Sequence, residues 1–348
     1  MAQKREHPAT MARIATAAGV SIATVSRVLA GRGDLARSTR ERVLQAADEL
    51  GYERSATNRG RPPRLDPRLI ELVLGSFTDA WTDRVIASAH QAAFRGGFDL
   101  VLTHERDDPA DDWPTRLAAR RPAGAILGLF RPTQRQLDEI RGLNIPVVLL
   151  DPRSDPRGEL PSVGTTDRQG GAQAAMHLAA TGARRFVVAT GVPPYRFGRA
   201  REQGFREAIQ ERLPGAEVVR LETRWSGGDL SRDLTRLAPS TADPVGLFAC
   251  NDEIAFAACA AARQLGIAIP EALGVVGFDD SPAAARHDPA LTTIHQPVEA
   301  MTARAVDVLG QIRSGTLTSF DRIELATRLV VRGTTRAASQ ATRDAARG

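Results

Sequence analysis

Only two cysteines occur in 348 residues, Cys250 and Cys259, and both lie in one alanine-rich apolar stretch. They read as small buried residues, not as a disulfide or a metal pair. No run of about 18 apolar residues occurs, so no membrane-spanning helix is expected. The first residues carry charges with no apolar segment behind them, so no secretion signal is legible. A cytoplasmic protein is expected, which weighs against a secreted sugar-binding protein. Catalytic signatures are missing as well. There is no H-x-x-x-H, no G-x-x-x-x-G-K-[ST], and no Ser/His/Asp or Cys/His pattern in a supporting context. Asp279 and Asp280 are adjacent, so their side chains should diverge, which does not suit paired acid and base catalysis. The expectation is no enzyme, no cofactor and no metal. What remains is a globular composition, 42% hydrophobic and 25% charged, long enough for two or three domains.

The most informative stretch is Thr10 to Leu29, T-M-A-R-I-A-T-A-A-G-V-S-I-A-T-V-S-R-V-L. Thr10 can cap a first helix, in which Ile14, Ala15 and Ala18 form one apolar stripe. Ala15 is small enough for a second helix to cross close by. Gly19 supplies the left-handed turn, and Ser21 can cap the second helix. Val25, Val28 and Leu29 point back to the first helix, which leaves Ile22, Ala23, Ser26 and Arg27 outward. A positive, small-residue outer face is what a major-groove reader needs. Residues 1–68 hold thirteen Lys/Arg against seven Asp/Glu, while the whole chain is +5, so residues 69–348 are net −1. The basic excess sits where phosphates would lie. A third helix is expected from Arg37 to Leu50, burying Val43, Ala47 and Leu50 and ended by Gly51, with Ser38 as a possible cap. Tyr52 folds back onto the three helices. Residues 53–68 read as a basic Pro/Arg-rich linker.

From Leu69 onward, short apolar runs alternate with amphipathic helical stretches. This pattern means parallel sheets covered on both faces. Two such sheets fit, one mainly from residues 69–163 and one from 164–290. Ligands of open parallel sheets bind past the carboxyl ends of the strands, so one ligand should lie in the cleft between them.

G-V-S-I-A-T-V-S-R-V-L closely resembles the recognition segment of the lactose-repressor (LacI) family of transcription regulators, and R-E-R-V-L-Q-A-A-D-E-L-G-Y resembles its third helix. V-V-G-F-D-D-S-P (275–282), L-T-T-I-H-Q-P (291–297) and E-L-A-T-R-L-V-V-R (324–332) resemble closing landmarks of its effector domain, so the likeness spans roughly residues 9–333. It implies an all-α helix-turn-helix DNA-binding domain over 8–52, a hinge over 53–68, and a two-subdomain α/β periplasmic-binding-protein-like effector domain over 69–333. The subdomains would be 69–163 plus 291–318, and 164–290 plus 319–333, with a disordered tail at 334–348. The linker departs from the family. Arg61 stands where a minor-groove leucine is expected, flanked by Gly60, Pro62 and Pro63. Arg59, Arg61 and Arg64 are therefore expected to contact the DNA backbone or a narrow minor groove electrostatically.

The resemblance implies a repressor that binds a palindromic operator as a homodimer under control of a small-molecule effector. The DNA-contacting set would be Thr10, Ser21, Ile22, Ala23, Thr24, Ser26 and Arg27. Of these, Ile22, Ala23 and Arg27 would face base edges, and Thr10, Thr24 and Ser26 would hold phosphates. The effector candidates follow strands or open helices: Asp79, Trp81, Asp167, Arg201, Trp225, Asn251 and Asp279. Trp81 offers a flat apolar face for a sugar ring. By the resemblance Arg201 aligns with an effector-anchoring arginine, and Trp225 with an aromatic that stacks on sugar in some members. Asn251 can cap a helix or bind a hydroxyl pair. Asp279 can accept two adjacent hydroxyls, and Asp280 serves structure. Aromatics with Asp, Asn and Arg favour a sugar, with a purine or phosphorylated effector as the competitor. The tail lacks an apolar heptad, so no tetramerising coiled coil is expected.

Overall fold

The computed structural model describes residues 10–29, 36–50, 52, 68–105, 112–154, 160–317, 319 and 321–337. The chain divides into two units, Met1–Asp66 and Pro67–Gly348.

The first unit holds three helices, α1 (Met11–Ala18), α2 (Ile22–Leu29) and α3 (Arg37–Glu49). The Thr10 hydroxyl accepts the Arg13 N–H at 3.4 Å and opens α1. Gly19, at φ 63°, closes it, and the chain bends by 104° into α2. The Ser21 hydroxyl accepts the Thr24 N–H at 3.1 Å and starts α2. Ile14, Ala15, Ala18, Val25, Val28, Val43, Ala46 and Ala47 form one core, with Leu29, Leu50 and Tyr52 packed at its edge. Tyr52 does fold back, its N–H donating to the Ala47 carbonyl at 2.8 Å. The cap expected at Ser38 is not made. Helix α3 starts at Arg37 behind Ala36, whose side chain caps nothing, and Ser38 lies inside the first turn. Gly51 and the linker residues Arg59, Arg61 and Arg64 lie outside the described residues.

The second unit is built on two six-stranded sheets. Its strands are β1 (Leu69–Leu74), β2 (Asp99–His104), β3 (Gly124–Gly128), β4 (Val147–Leu150), β5 (Ser162–Thr165), β6 (Arg185–Val192), β7 (Val218–Arg224), β8 (Val245–Ala249), β9 (Leu273–Asp279), β10 (Thr292–His295), β11 (Arg322–Leu325) and β12 (Arg328–Val330). The helices are α4 (Ala80–Arg95), α5 (Trp113–Arg120), α6 (Gln134–Leu143), α7 (Asp167–Ala180), α8 (Arg196–Arg212), α9 (Ser231–Leu237), α10 (Asp252–Gln264) and α11 (Val298–Ser314). The strand orders are β11-β5-β4-β3-β1-β2 and β12-β10-β9-β8-β6-β7. All pairings are parallel except β10 with β12. Strands β3, β4, β8 and most of β9 are buried along their length, as sheets covered on both faces require.

Two strands depart from the expected subdomain division. Strand β10 belongs to the second sheet, pairing with β9, so residues 292–295 do not return to the first subdomain. Helix α11 does return, and packs in the core of the first sheet through Val298, Met301, Ala305 and Leu309. Strand β11 then pairs in parallel with β5 in the first sheet, and only β12 goes back to the second. Each of these strands is three or four residues long, so its sheet is chosen by a distant partner. Residues 334 and 335, expected in a disordered tail, are instead part of the fold. Thr334 and Thr335 are buried, and the Thr334 hydroxyl donates to the Val275 carbonyl at 2.8 Å. Residues 338–348 lie outside the described residues. Among the described residues no single helix is long and apolar enough to cross a membrane.

Candidate functional site

In the helical unit, α2 buries Val25 and Val28 and turns its other side outward. Ile22 is 54% exposed, Ala23 and Arg27 are exposed, and Thr24 and Ser26 are half-buried. The Ser21 and Thr24 hydroxyls lie 2.9 Å apart, so part of their hydrogen-bonding capacity is used within the helix start. The Arg27 Nε sits 3.5 Å from the Ala23 carbonyl, and its guanidinium is exposed. Thr10, exposed, is occupied as a cap.

In the larger unit a cavity of about 520 Å³ lies at the carboxyl ends of strands from both sheets. Ser76 and Thr78–Trp81 follow β1, Leu129 follows β3, and Asp151 and Arg153 follow β4. From the second sheet come Val192, Pro193, Tyr195 and Phe197, Arg224–Ser226, Asn251–Glu253, Asp279 and Ser281, with Gln296 after β10. Six of the seven expected effector residues line it: Asp79, Trp81, Arg201, Trp225, Asn251 and Asp279.

Arg201 is only 2% exposed. Its Nε donates to Asp167 at 3.0 Å, its Nη1 donates to the Cys250 carbonyl at 2.7 Å, and the same Nη1 lies 3.6 Å from Asp279. Its guanidinium rests 3.6 Å above the centre of the Phe278 ring. Burial pushes the Asp279 carboxyl well above the usual range; Arg201 opposes this, and Asp252, Asp151 and Asp79 add to it. Asp279 also accepts from the Gln296 Nε2 at 3.0 Å. Asp151 is raised to about 6 by burial and by Asp167, against the pull of Arg201, Arg196 and Arg322.

Asp167 does not line the cavity, contrary to expectation. It is buried beneath Arg201, accepting from Arg196 at 2.7 Å, with Arg322 at 3.5 Å. Its oxygens are taken up by three guanidiniums from α8 and β11, Arg201 among them. Asn251 reaches the cavity, but its Oδ1 accepts the Ile254 N–H and its Nδ2 donates to the Trp225 carbonyl. Asp79 likewise caps α4, accepting from the Thr82 N–H and hydroxyl at 2.8 Å each. Trp81 is 7% exposed, belongs to the first core, and donates its N–H to the Gln296 Oε1 at 2.9 Å. Only its margin faces the cavity. Trp225 is held as a wall. Its N–H donates to the Pro193 carbonyl at 2.8 Å, its ring stacks on Tyr195, and Phe197 meets it edge-on. Asp280 is structural, paired with Arg332 at 2.7 Å and His295 at 2.9 Å.

Asp151, Gln296, Tyr195 and Phe197 were not among the expected residues. Asp151 and Gln296 could have been found, since each directly follows its strand, V-V-L-L or T-T-I-H. Nothing in the local pattern distinguishes Tyr195 and Phe197. Among the described residues no group of three His, Cys, Asp or Glu is placed to hold a metal.

Residues 10–55 match the lacI family of bacterial regulatory proteins, and residues 175–335 match a periplasmic binding protein-like domain. The regulator MalR of Streptomyces coelicolor is 34% identical over 345 residues, covering 94% of this chain and 97% of its own. The chain belongs to the lacI family. The DegA regulator of Bacillus subtilis is 29% identical and covers 94% of this chain and 98% of its own. A solved complex of the transcriptional regulator CelR with cellobiose superposes with a TM-score of 0.68 at 27% identity, over 94% of this chain and 99% of that one. This lacI-family chain is thus a transcriptional regulator with a helix-turn-helix head and a two-sheet effector domain, and its named relatives are regulators, not enzymes.

Proposed function

We propose that this regulator is a repressor that binds a palindromic operator as a homodimer, and that a sugar in the cleft sets its operator affinity. The observation that carries the effector reading is the make-up of the cavity. Asp279, Asp151 and Gln296 offer acceptors and donors for hydroxyls beside the rigid wall of Trp225, Tyr195 and Phe197. The cellobiose complex of CelR supports a sugar. Ile22, Ala23 and Arg27 face base edges, with Thr10, Ser21, Thr24 and Ser26 at the phosphates. A three-helix head makes a small footprint, so two heads on a two-fold axis are needed for tight, specific binding. Phe94, 76% exposed on α4, and Leu102, 43% exposed on the edge strand β2, supply an apolar surface for the second copy. A DNA-bound regulator of this kind acts in the cytoplasm.

Coupling runs through groups that tie the two sheets together. Arg84 on α4 donates to the carbonyls of Asp279 at 2.9 Å and Asp280 at 3.3 Å, and Asp167 gathers Arg196, Arg201 and Arg322. Closing on a ligand shifts one sheet against the other and re-packs these contacts. The test is calorimetric titration of the full-length protein with a carbohydrate panel, repeated on Asp279→Asn. The sugar that binds should lose roughly tenfold in affinity, about the worth of one buried hydrogen bond. Equal binding by the variant removes Asp279 from the site.

A further inference from the structure

We propose that the cleft continues into an outer chamber that holds an anionic group, carboxylate or phosphate, carried by the sugar effector. The inference rests on the carbohydrate reading of the cleft and names the class of sugar. A second cavity of about 570 Å³ adjoins the first and shares Arg153, Pro193 and Tyr195 with it. Its charged lining is Arg131, Arg153, Arg199 and Glu105. Among the described residues, no carboxylate oxygen lies within 4.0 Å of the three arginines. Arg199 donates to the Pro194 carbonyl at 2.7 Å, whereas three guanidiniums beside the cleft are paired with carboxylates: Arg196 and Arg201 with Asp167, at 2.7 and 3.0 Å, and Arg322 with Glu324, at 2.7 Å. The Arg153 Nε is buried with no hydrogen-bond partner. A buried polar atom left so is costly unless something fills the place.

The lining also argues against a second neutral ring. Tyr195 is the one aromatic lining the chamber among the described residues, and it is already engaged. The Arg153 guanidinium sits 4.6 Å above its ring centre, and Trp225 stacks on it at 5.4 Å. The inner cavity has the opposite character. Five carboxylates, Asp79, Asp151, Asp252, Glu253 and Asp279, line it against three guanidiniums, Arg153, Arg201 and Arg224, and Arg201 is already held by Asp167, so the balance there favours hydroxyls over an anion. A ligand with hydroxyls at one end and an anion at the other is oriented by this contrast. Guanidiniums fork to carboxylate and phosphate equally well, so both remain in the class.

The experiment titrates the full-length protein at fixed ionic strength with glucose, glucose 6-phosphate, glucuronate and inorganic phosphate, alongside Arg153→Gln and Arg131→Gln. An anionic sugar should bind at least tenfold tighter than glucose, and each substitution should bring that ratio toward one. The phosphate and glucuronate arms tell the two anions apart. Glucose binding as tightly as its charged forms, or ratios unmoved by the substitutions, overturns the proposal while leaving a sugar site. Inorganic phosphate bound by the parent protein and lost in Arg153→Gln, with no sugar bound, upholds the anion chamber and overturns the carbohydrate reading. No binding of any of the four probes overturns both.

Discussion

Adding one methyl group to Gly171 should unfold more of this protein than its size implies. Helices α7 and α8 meet backbone to backbone. A methyl built on Gly171 would lie 2.0 Å from the Arg201 carbonyl oxygen, and one on Gly204 would lie 1.9 Å from that of Arg168. Ordinary contact begins at 3.4 Å, so Gly171→Ala must separate the helices by more than an ångström, with no flexible side chain to give way. In a helix, alanine is otherwise worth about 1 kcal/mol over glycine. Overpacking of this kind costs about 1–3 kcal/mol or more, so the net effect should be a loss of about 1 kcal/mol or more. The separation would also stretch the Asp167–Arg201 bond, since the two residues lie on these helices. All three tryptophans, Trp81, Trp113 and Trp225, lie in the effector unit, so their fluorescence in a urea titration reports on it alone. Gly310, in α11, is the control. A methyl there meets nothing within 4 Å, so Gly310→Ala should stabilise by about 0.5–1 kcal/mol. If Gly171→Ala raised the midpoint as Gly310→Ala does, the close approach of the two helices would be refuted.

Three further predictions concern the sites. A methyl on Gly198 would lie 2.6 Å from the Trp225 ring, so Gly198→Ala should tilt the indole and weaken sugar binding about tenfold, or about 1.4 kcal/mol; unchanged calorimetric affinity would mean that Trp225 is no wall. Asp151 titrates near 6 in the folded chain, against 3.8 for an ordinary aspartate. Between those values the native state keeps a proton that the unfolded chain has lost, so stability should fall as pH rises, by on the order of 3 kcal/mol for this group. Asp151→Asn should flatten that part of a stability–pH curve, and an unchanged slope contradicts the assignment. Arg27→Ala should cost about 1–3 kcal/mol at a specific operator at fixed salt while leaving random DNA nearly unaffected; equal losses on both would make Arg27 a phosphate contact.

The helical head was legible because its signals are local. Ile14, Ala15, Ala18, Val25 and Val28 lie within fifteen residues of one another, and Gly19 marks the turn between them. The two parallel sheets were legible from apolar strands spaced by helices. The sheet membership of β10, β11 and β12 was not, because Arg322–Leu325 joins Ser162–Thr165 across more than 150 residues, and nothing in R-I-E-L names its partner. The cleft was legible as a set of strand ends, which is why six expected residues line it. What each side chain does there was less so. Asp79 and Asn251 are occupied as caps, and the Trp81 N–H is taken by Gln296, a residue brought in by the crossover after β10. Asp167 passed for a ligand contact because nothing local shows that three arginines from α8 and β11 surround it.

The most direct test of the account is fluorescence anisotropy of the full-length regulator on a duplex selected from a random pool, with and without the sugar found by calorimetry. The account predicts that the sugar changes duplex affinity at least tenfold and that the duplex changes sugar affinity by the same factor, as linkage requires. A duplex affinity that stays the same with the cleft occupied and empty would contradict it.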